Sequence, residues 1–92
     1  MSTYGLVVPA LNINGTSAKE LLAQIREAWH GVREARRLHG LTIPHGRDYQ
    51  TVDPRLYRLA REQHHQRTAA LAAVEDDLER IATGINDQMI DH

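Results

Sequence analysis

The 92-residue chain contains no cysteine and no phenylalanine, and a single tryptophan, Trp29. Without cysteine there are no disulfides, no thiolate nucleophile and no thiolate-held metal, a composition that fits a reducing compartment. No apolar run approaches the roughly 20 residues that cross a bilayer. The N-terminus lacks a basic region followed by an apolar core, so neither a membrane span nor a signal peptide is expected, and a cytoplasmic location is. With the aromatics reduced to Trp29, Tyr4, Tyr49 and Tyr57, the apolar content is mostly Leu, Ile, Val and Ala. One domain of this size is marginal as a monomer, and a homo-oligomer is expected.

Chemical signatures are also scarce. There is no Gly-x-Ser-x-Gly, no P-loop and no paired-carboxylate site, so a non-enzymatic protein without a cofactor is expected. Asp48 beside Arg47 reads as a local ion pair. His45 alone in a loop is weak support for a general base. His64 and His65 are adjacent on a helix and point to different sides, and His30, His39 and His45 lack zinc spacing, so no metal site is expected.

What is present is a charge asymmetry under a net charge of −1. Residues 33–67 carry eight arginines against Glu34, Asp48, Asp53 and Glu62, a net of +4. Residues 68–92 carry Arg80 against Glu75, Asp76, Asp77, Glu79, Asp87 and Asp91, a net of −5. In a hairpin this makes one basic end and one acidic end, suited to seating an anion or joining copies. The acidic end argues against nucleic acid as a partner. Arg55, Arg58 and Arg61 read as an exposed row on one helix, either solvated or in contact with nucleic acid or an acidic protein.

The apolar pattern predicts an all-α antiparallel hairpin with a short extended N-terminal arm, assembling into an oligomeric helical bundle. Residues 1–16 form the arm. Val7, Val8, Leu11 and Ile13 favour extended geometry and Pro9 interrupts a regular strand. The arm is expected to pack along a helix or to cross to a neighbouring subunit. Ser17 and Glu20 have the spacing of a capping box and open a helix over 17–39. Ala18, Leu21, Leu22, Ile25, Ala28, Trp29, Val32 and Ala35 recur at steps of three and four. Gly40 stands where a left-handed cap belongs. Residues 40–53 form a loop in which Gly46 is free to take a positive φ.

Asp53 and Pro54 start a second helix over 54–86, as N-cap and first-turn proline, followed by a frayed tail at 87–92. Its apolar pattern is a heptad: Tyr57, His64, Leu71, Leu78 and Ile85 in one register, Ala60, Arg67, Val74 and Ile81 in the other. His64 and Arg67 therefore stand at inward positions near the connection. Either the seam is wet there and Arg67 snorkels, or the two line a pocket with His45, Gly46, Arg47, Tyr49, Tyr57 and Arg36. Guanidinium forks and aromatic faces in such a pocket suit a phosphate-bearing, nucleotide-like ligand.

Leu11-Asn12-Ile13-Asn14-Gly15-Thr16-Ser17, then Pro44-His45-Gly46-Arg47-Asp48-Tyr49, then a long Ala/Glu/Leu helix, resembles small phage- and prophage-encoded helical proteins. The resemblance spans most of the chain and carries no activity. It implies expression in the cytoplasm of a bacterial host and work done by binding. The leading expectation is a counter-defence protein that sequesters a nucleotide-like signal. The alternatives are an inhibitor of a host defence protein and a phage structural or assembly protein.

Overall fold

The computed structural model describes residues 5–10 and 15–90. Two helices, α1 (Gly15–Gly40) and α2 (Pro54–Ile90), are joined by a connection that holds one 3₁₀ turn, Gly46–Tyr49. They pack as an antiparallel hairpin measuring 62 × 28 × 14 Å, a single layer little more than one helix thick. No strand occurs among the described residues, so the all-α hairpin expected from the pattern is the fold. None of the described helices is long and apolar enough to cross a membrane.

The helix ends differ from the expected ones in instructive ways. α1 begins two residues before Ser17, which puts Ser17 and Glu20 inside the helix rather than at its cap. It also runs through Gly40, and no described glycine has a positive φ, so neither Gly40 nor Gly46 adopts the left-handed conformation. Instead α1 closes by tightened turns, with the Leu41 amide donating to the Leu38 carbonyl at 3.0 Å and the Thr42 amide to the His39 carbonyl at 2.9 Å. The Thr42 hydroxyl reinforces the closure, donating to the same His39 carbonyl at 2.7 Å. At the start of α2, Asp53 caps as its residue type suggests: its Oδ1 accepts from the Arg55 amide at 2.9 Å. α2 continues through Gly84 to Ile90, so residues 87–90 are helical rather than frayed, while 91–92 lie outside the described residues.

The seam reads directly from burial. On α1 the inward row is Ala18, Leu22, Ile25, Trp29, Val32, Arg36 and His39, alternating steps of four and three. On α2 it is Tyr57, Ala60, His64, Thr68, Leu71, Glu75, Leu78, Ala82 and Ile85. One heptad register is thus inward throughout. The other is displaced by one residue: Thr68 and Glu75 face in, whereas Arg67 is exposed and Val74 is 46% exposed. The cause is the mismatch between 3.6 residues per turn and a seven-residue repeat, which carries a strict heptad row about 20° around the helix each time. The row from Tyr57 to Ile85 drifts across the centre of the seam. The row beginning at Ala60 starts at the edge and leaves the seam at Arg67 and Val74, with Ile81 again partly buried.

Such a thin layer buries little. Among the described residues the buried apolar side chains are Ala18, Leu22 and Ile85, joined by one polar residue, His64. Residues 5–10 of the arm follow the far end of α2. A Cβ added to Gly84 would sit 2.8 Å from one Val8 methyl and 3.2 Å from the other, so the glycine admits the valine. The Gln88 side-chain amide donates to the Pro9 carbonyl at 2.9 Å. This stretch of the arm packs on its own chain; Leu11 and Ile13 lie outside the described residues.

Candidate functional site

The connection between the helices is where the expected ligand residues concentrate. His45 is extended, with φ −106° and ψ 140°, and leads into the 3₁₀ turn. The Asp48 amide closes that turn on the His45 carbonyl at 3.0 Å. The turn delivers Tyr49 onto Tyr57 at the start of α2, with ring centroids 5.5 Å apart and planes tilted by 41°. Gly46 packs against the same Tyr57 ring, but an added Cβ would meet it at 3.8 Å, an ordinary contact. Neither space nor φ demands glycine at 46. His45, Arg47 and Asp48 are exposed, and Arg47 makes no ion pair or side-chain hydrogen bond among the described residues.

The remaining expected ligand residues are arranged differently from a shared pocket. Arg36 is engaged across the hairpin: its Nε donates to Glu75 Oε2 at 2.7 Å and its Nη2 to Oε1 at 3.3 Å. This two-pronged pair places opposite charges on facing inward positions, with Glu75 only 14% exposed. The hydrogen bonds from Arg36, with its charge, hold the Glu75 carboxyl below the usual carboxylate range. His64 is 3% exposed and stacks on His39, with centroids 4.1 Å apart and planes within 15°. His39 Nε2 donates to the His64 carbonyl at 3.3 Å, and the Thr68 hydroxyl donates to it at 3.1 Å. His64 Nδ1 is buried with no hydrogen-bond partner among the described residues. Burial, then the charges of His39, Arg67 and His65, push the His64 imidazole below its ordinary value, so it is held neutral. Arg67 points to solvent, not into the seam.

Thus Gly46, Tyr49 and Tyr57 are brought together beside exposed His45 and Arg47, while Arg36, His64 and Arg67 are placed elsewhere. His39, Thr68 and Glu75 complete the inward polar set and were not among the expected site residues. For His39 the signal was spacing, since it continues the row of Ala18, Ile25 and Val32; Thr68 and Glu75 stand one residue past the expected Arg67 and Val74.

The basic row of α2 is partly committed. Arg55 is held by Asp53 through Nη2 to Oδ2 at 2.6 Å, in addition to the cap, and these bonds lower the Asp53 carboxyl. The Arg61 guanidinium lies 5.8 Å from the Tyr57 ring centroid. A depression of about 330 Å³ lies between the far halves of the helices, lined by Arg26, Trp29, His30, Glu79, Ala82, Thr83 and Asn86. It includes none of the eight expected ligand residues. Another is formed by α2 alone, from Arg58 to Ala69. Arg36 joins His30, Arg33, Glu34 and Arg37 in the third, on the outer side of α1.

The connecting end is instead marked by exposed apolar side chains: Leu41 at 73%, Val52 at 40% and Ile43 at 36%. No family model matches the chain, and no curated protein or solved structure shows significant similarity to it.

Proposed function

We propose that the chain is a non-enzymatic binding protein that engages a protein target through the connecting end of the hairpin. The observation that carries this reading is Leu41, exposed at 73%, in a connection that also exposes Ile43, Val52 and Arg47, the last without an ion pair among the described residues. Clustered exposed apolar residues with a charged rim mark contact surfaces more often than solvated ones. The hairpin is built to present them: Asp53 and Thr42 fix the helix ends on either side, and the Tyr49–Tyr57 pair braces the loop. A target with an apolar patch bordered by carboxylates fits this surface. In the bacterial, phage-infected setting implied by the sequence resemblance, that target is a host defence protein.

A second reading rests on the Tyr49–Tyr57 pair with Gly46 against it and Arg47 beside it, which suits a ring and a phosphate. It makes the same end the seat of a nucleotide-like signal.

A photo-crosslinking side chain at position 41, compared with one at position 19 on the far half of α1, tests the leading reading in infected cells. One discrete protein adduct from position 41 and none from position 19 supports it. Adducts of equal yield from both, or none from 41, refute it. A nucleotide-sized adduct at 41 favours the second reading.

A further inference from the structure

The layer has two broad faces of unlike chemistry. Arg26 and His30 of α1 share a depression with Glu79, Thr83 and Asn86 of α2, which identifies one face as polar. At about 100° per residue, Leu21, Ala28 and Ala35 fall on the opposite side of the inward row of α1, with Leu38 beside them. On α2 the matching side carries Leu56, Ala70, Val74 and Ile81. Leu38, Leu56 and Val74 are 48%, 50% and 46% exposed. Arg67 and Asp77 border the same side, both exposed and without an ion pair among the described residues.

Charge decides what covers this face. Of the charges of α2, Arg55 is held by Asp53, Glu75 by Arg36, and Glu79 lies on the polar face. Arg67 and Asp77 border the apolar face, and residues 68–74 are uncharged. A two-fold axis crossing α2 near residue 72 lays a second α2 antiparallel on the first. A parallel pairing would set like charges together. With the axis there, Arg67 meets Asp77 of the second copy, and Ala70 meets Val74. The crossings of Arg36 to Glu75 and His39 to His64 put small Ala35 at about the level of the axis, where two α1 helices would come close. Even short of the end of α2 where the arm lies on Gly84 and Gln88, the 62 × 28 Å layer is broad enough for the roughly 800 Å² per partner that a stable interface uses.

We propose that the chain forms a two-fold antiparallel dimer, a four-helix bundle, through the face carrying Leu21, Ala28, Leu56 and Val74, with Arg67 of each copy paired to Asp77 of the other. Because the axis lies at the level of Ala35, close to the connecting end of α1 at Gly40, Leu21 and Ala28 of each copy lie toward the connection of the other; sedimentation reads self-association separately from target capture at Leu41.

Sedimentation velocity of the full chain over a concentration series, with circular dichroism as a folding control, tests it. The wild type sediments as a dimer. Arg67→Asp and Asp77→Arg each raise the dissociation constant about tenfold or more, and the exchanged double variant returns to within about threefold of the wild type. Val74→Glu gives a helical monomer. A wild-type monomer at the highest soluble concentration overturns the proposal. So does a dimer indifferent to the single reversals, or one that the exchange fails to restore.

Discussion

Replacing Gly84 by alanine sets two effects of similar size against each other. In an exposed helix interior the substitution stabilises by about 1 kcal/mol, because glycine is the poorer helix former. At this position the new methyl would lie 2.8 Å and 3.2 Å from the Val8 methyls, closer than carbon atoms pack. Overpacking of this kind costs about 1–3 kcal/mol where neighbours cannot move. Here the neighbour is the arm, held by the Gln88 hydrogen bond to the Pro9 carbonyl and by a partly buried Val8. Those contacts contribute about 0.5–1.5 kcal/mol for the bond and about 1 kcal/mol for the valine, which caps the loss at the cost of unseating the arm.

The expected outcome is therefore near-neutral or slightly destabilising in the wild type. In a Val8→Ala background the nearest remaining atom, the residue 8 Cβ, stands at 3.5 Å and the clash is gone. There the same change should stabilise by about 1 kcal/mol. Urea unfolding followed by circular dichroism gives the four stabilities, and hydrogen exchange over residues 5–10 reports whether the arm has lifted. Equal stabilisation by Gly84→Ala in both backgrounds, with unchanged exchange in the arm, would refute the seating of Val8 on Gly84.

Other outcomes follow from the polar seam. His64 has its folded-state pKa lowered, so the unfolded chain binds the proton more readily. That contribution to stability is present above the ordinary imidazole value near 6.5 and is lost as pH falls below it. Urea midpoints should drop between pH 7.5 and pH 5, and His64→Gln should flatten that slope; an unchanged slope would contradict the buried neutral imidazole. Glu75 and Glu34 are both lowered by arginine partners, but Glu75 bridges the helices from a 14% exposed position while Glu34 pairs within α1 at 55% exposure. Glu75→Gln should lower the urea midpoint clearly more than Glu34→Gln, and equal effects would count against the Arg36–Glu75 bridge. Gly46→Ala should leave stability and the loop intact, as judged by near-ultraviolet signals of Tyr49 and Tyr57, because the added methyl meets only ordinary contacts.

Much of the hairpin was legible because helices announce themselves locally. Asp53-Pro54 fixes the start of α2, and the steps from Ala18 to Val32 fix the inward face of α1. What misled is a matter of phase and distance. A strict heptad assigns Arg67 and Val74 inward, whereas in the helix they turn out and Thr68 and Glu75 face in. Gly84 reads locally as a weak point in a helix; its role depends on Val8, far away in sequence. Gly40 and Gly46 read as left-handed glycines, yet tightened turns and ordinary φ values serve at both places. At the connecting end, composition pointed to binding chemistry, but Arg36 had a closer partner in Glu75 and His64 a closer one in His39. Neither pairing is visible without the register between the helices.

The most direct test of a binding protein working through its connecting end is native mass spectrometry of the full chain recovered from infected bacterial cells, run beside Leu41→Asp. The account predicts a complex with one discrete protein mass in the wild type and its loss in the variant, with helicity retained. The same complex in both, or a chain carrying no protein in either, would contradict it.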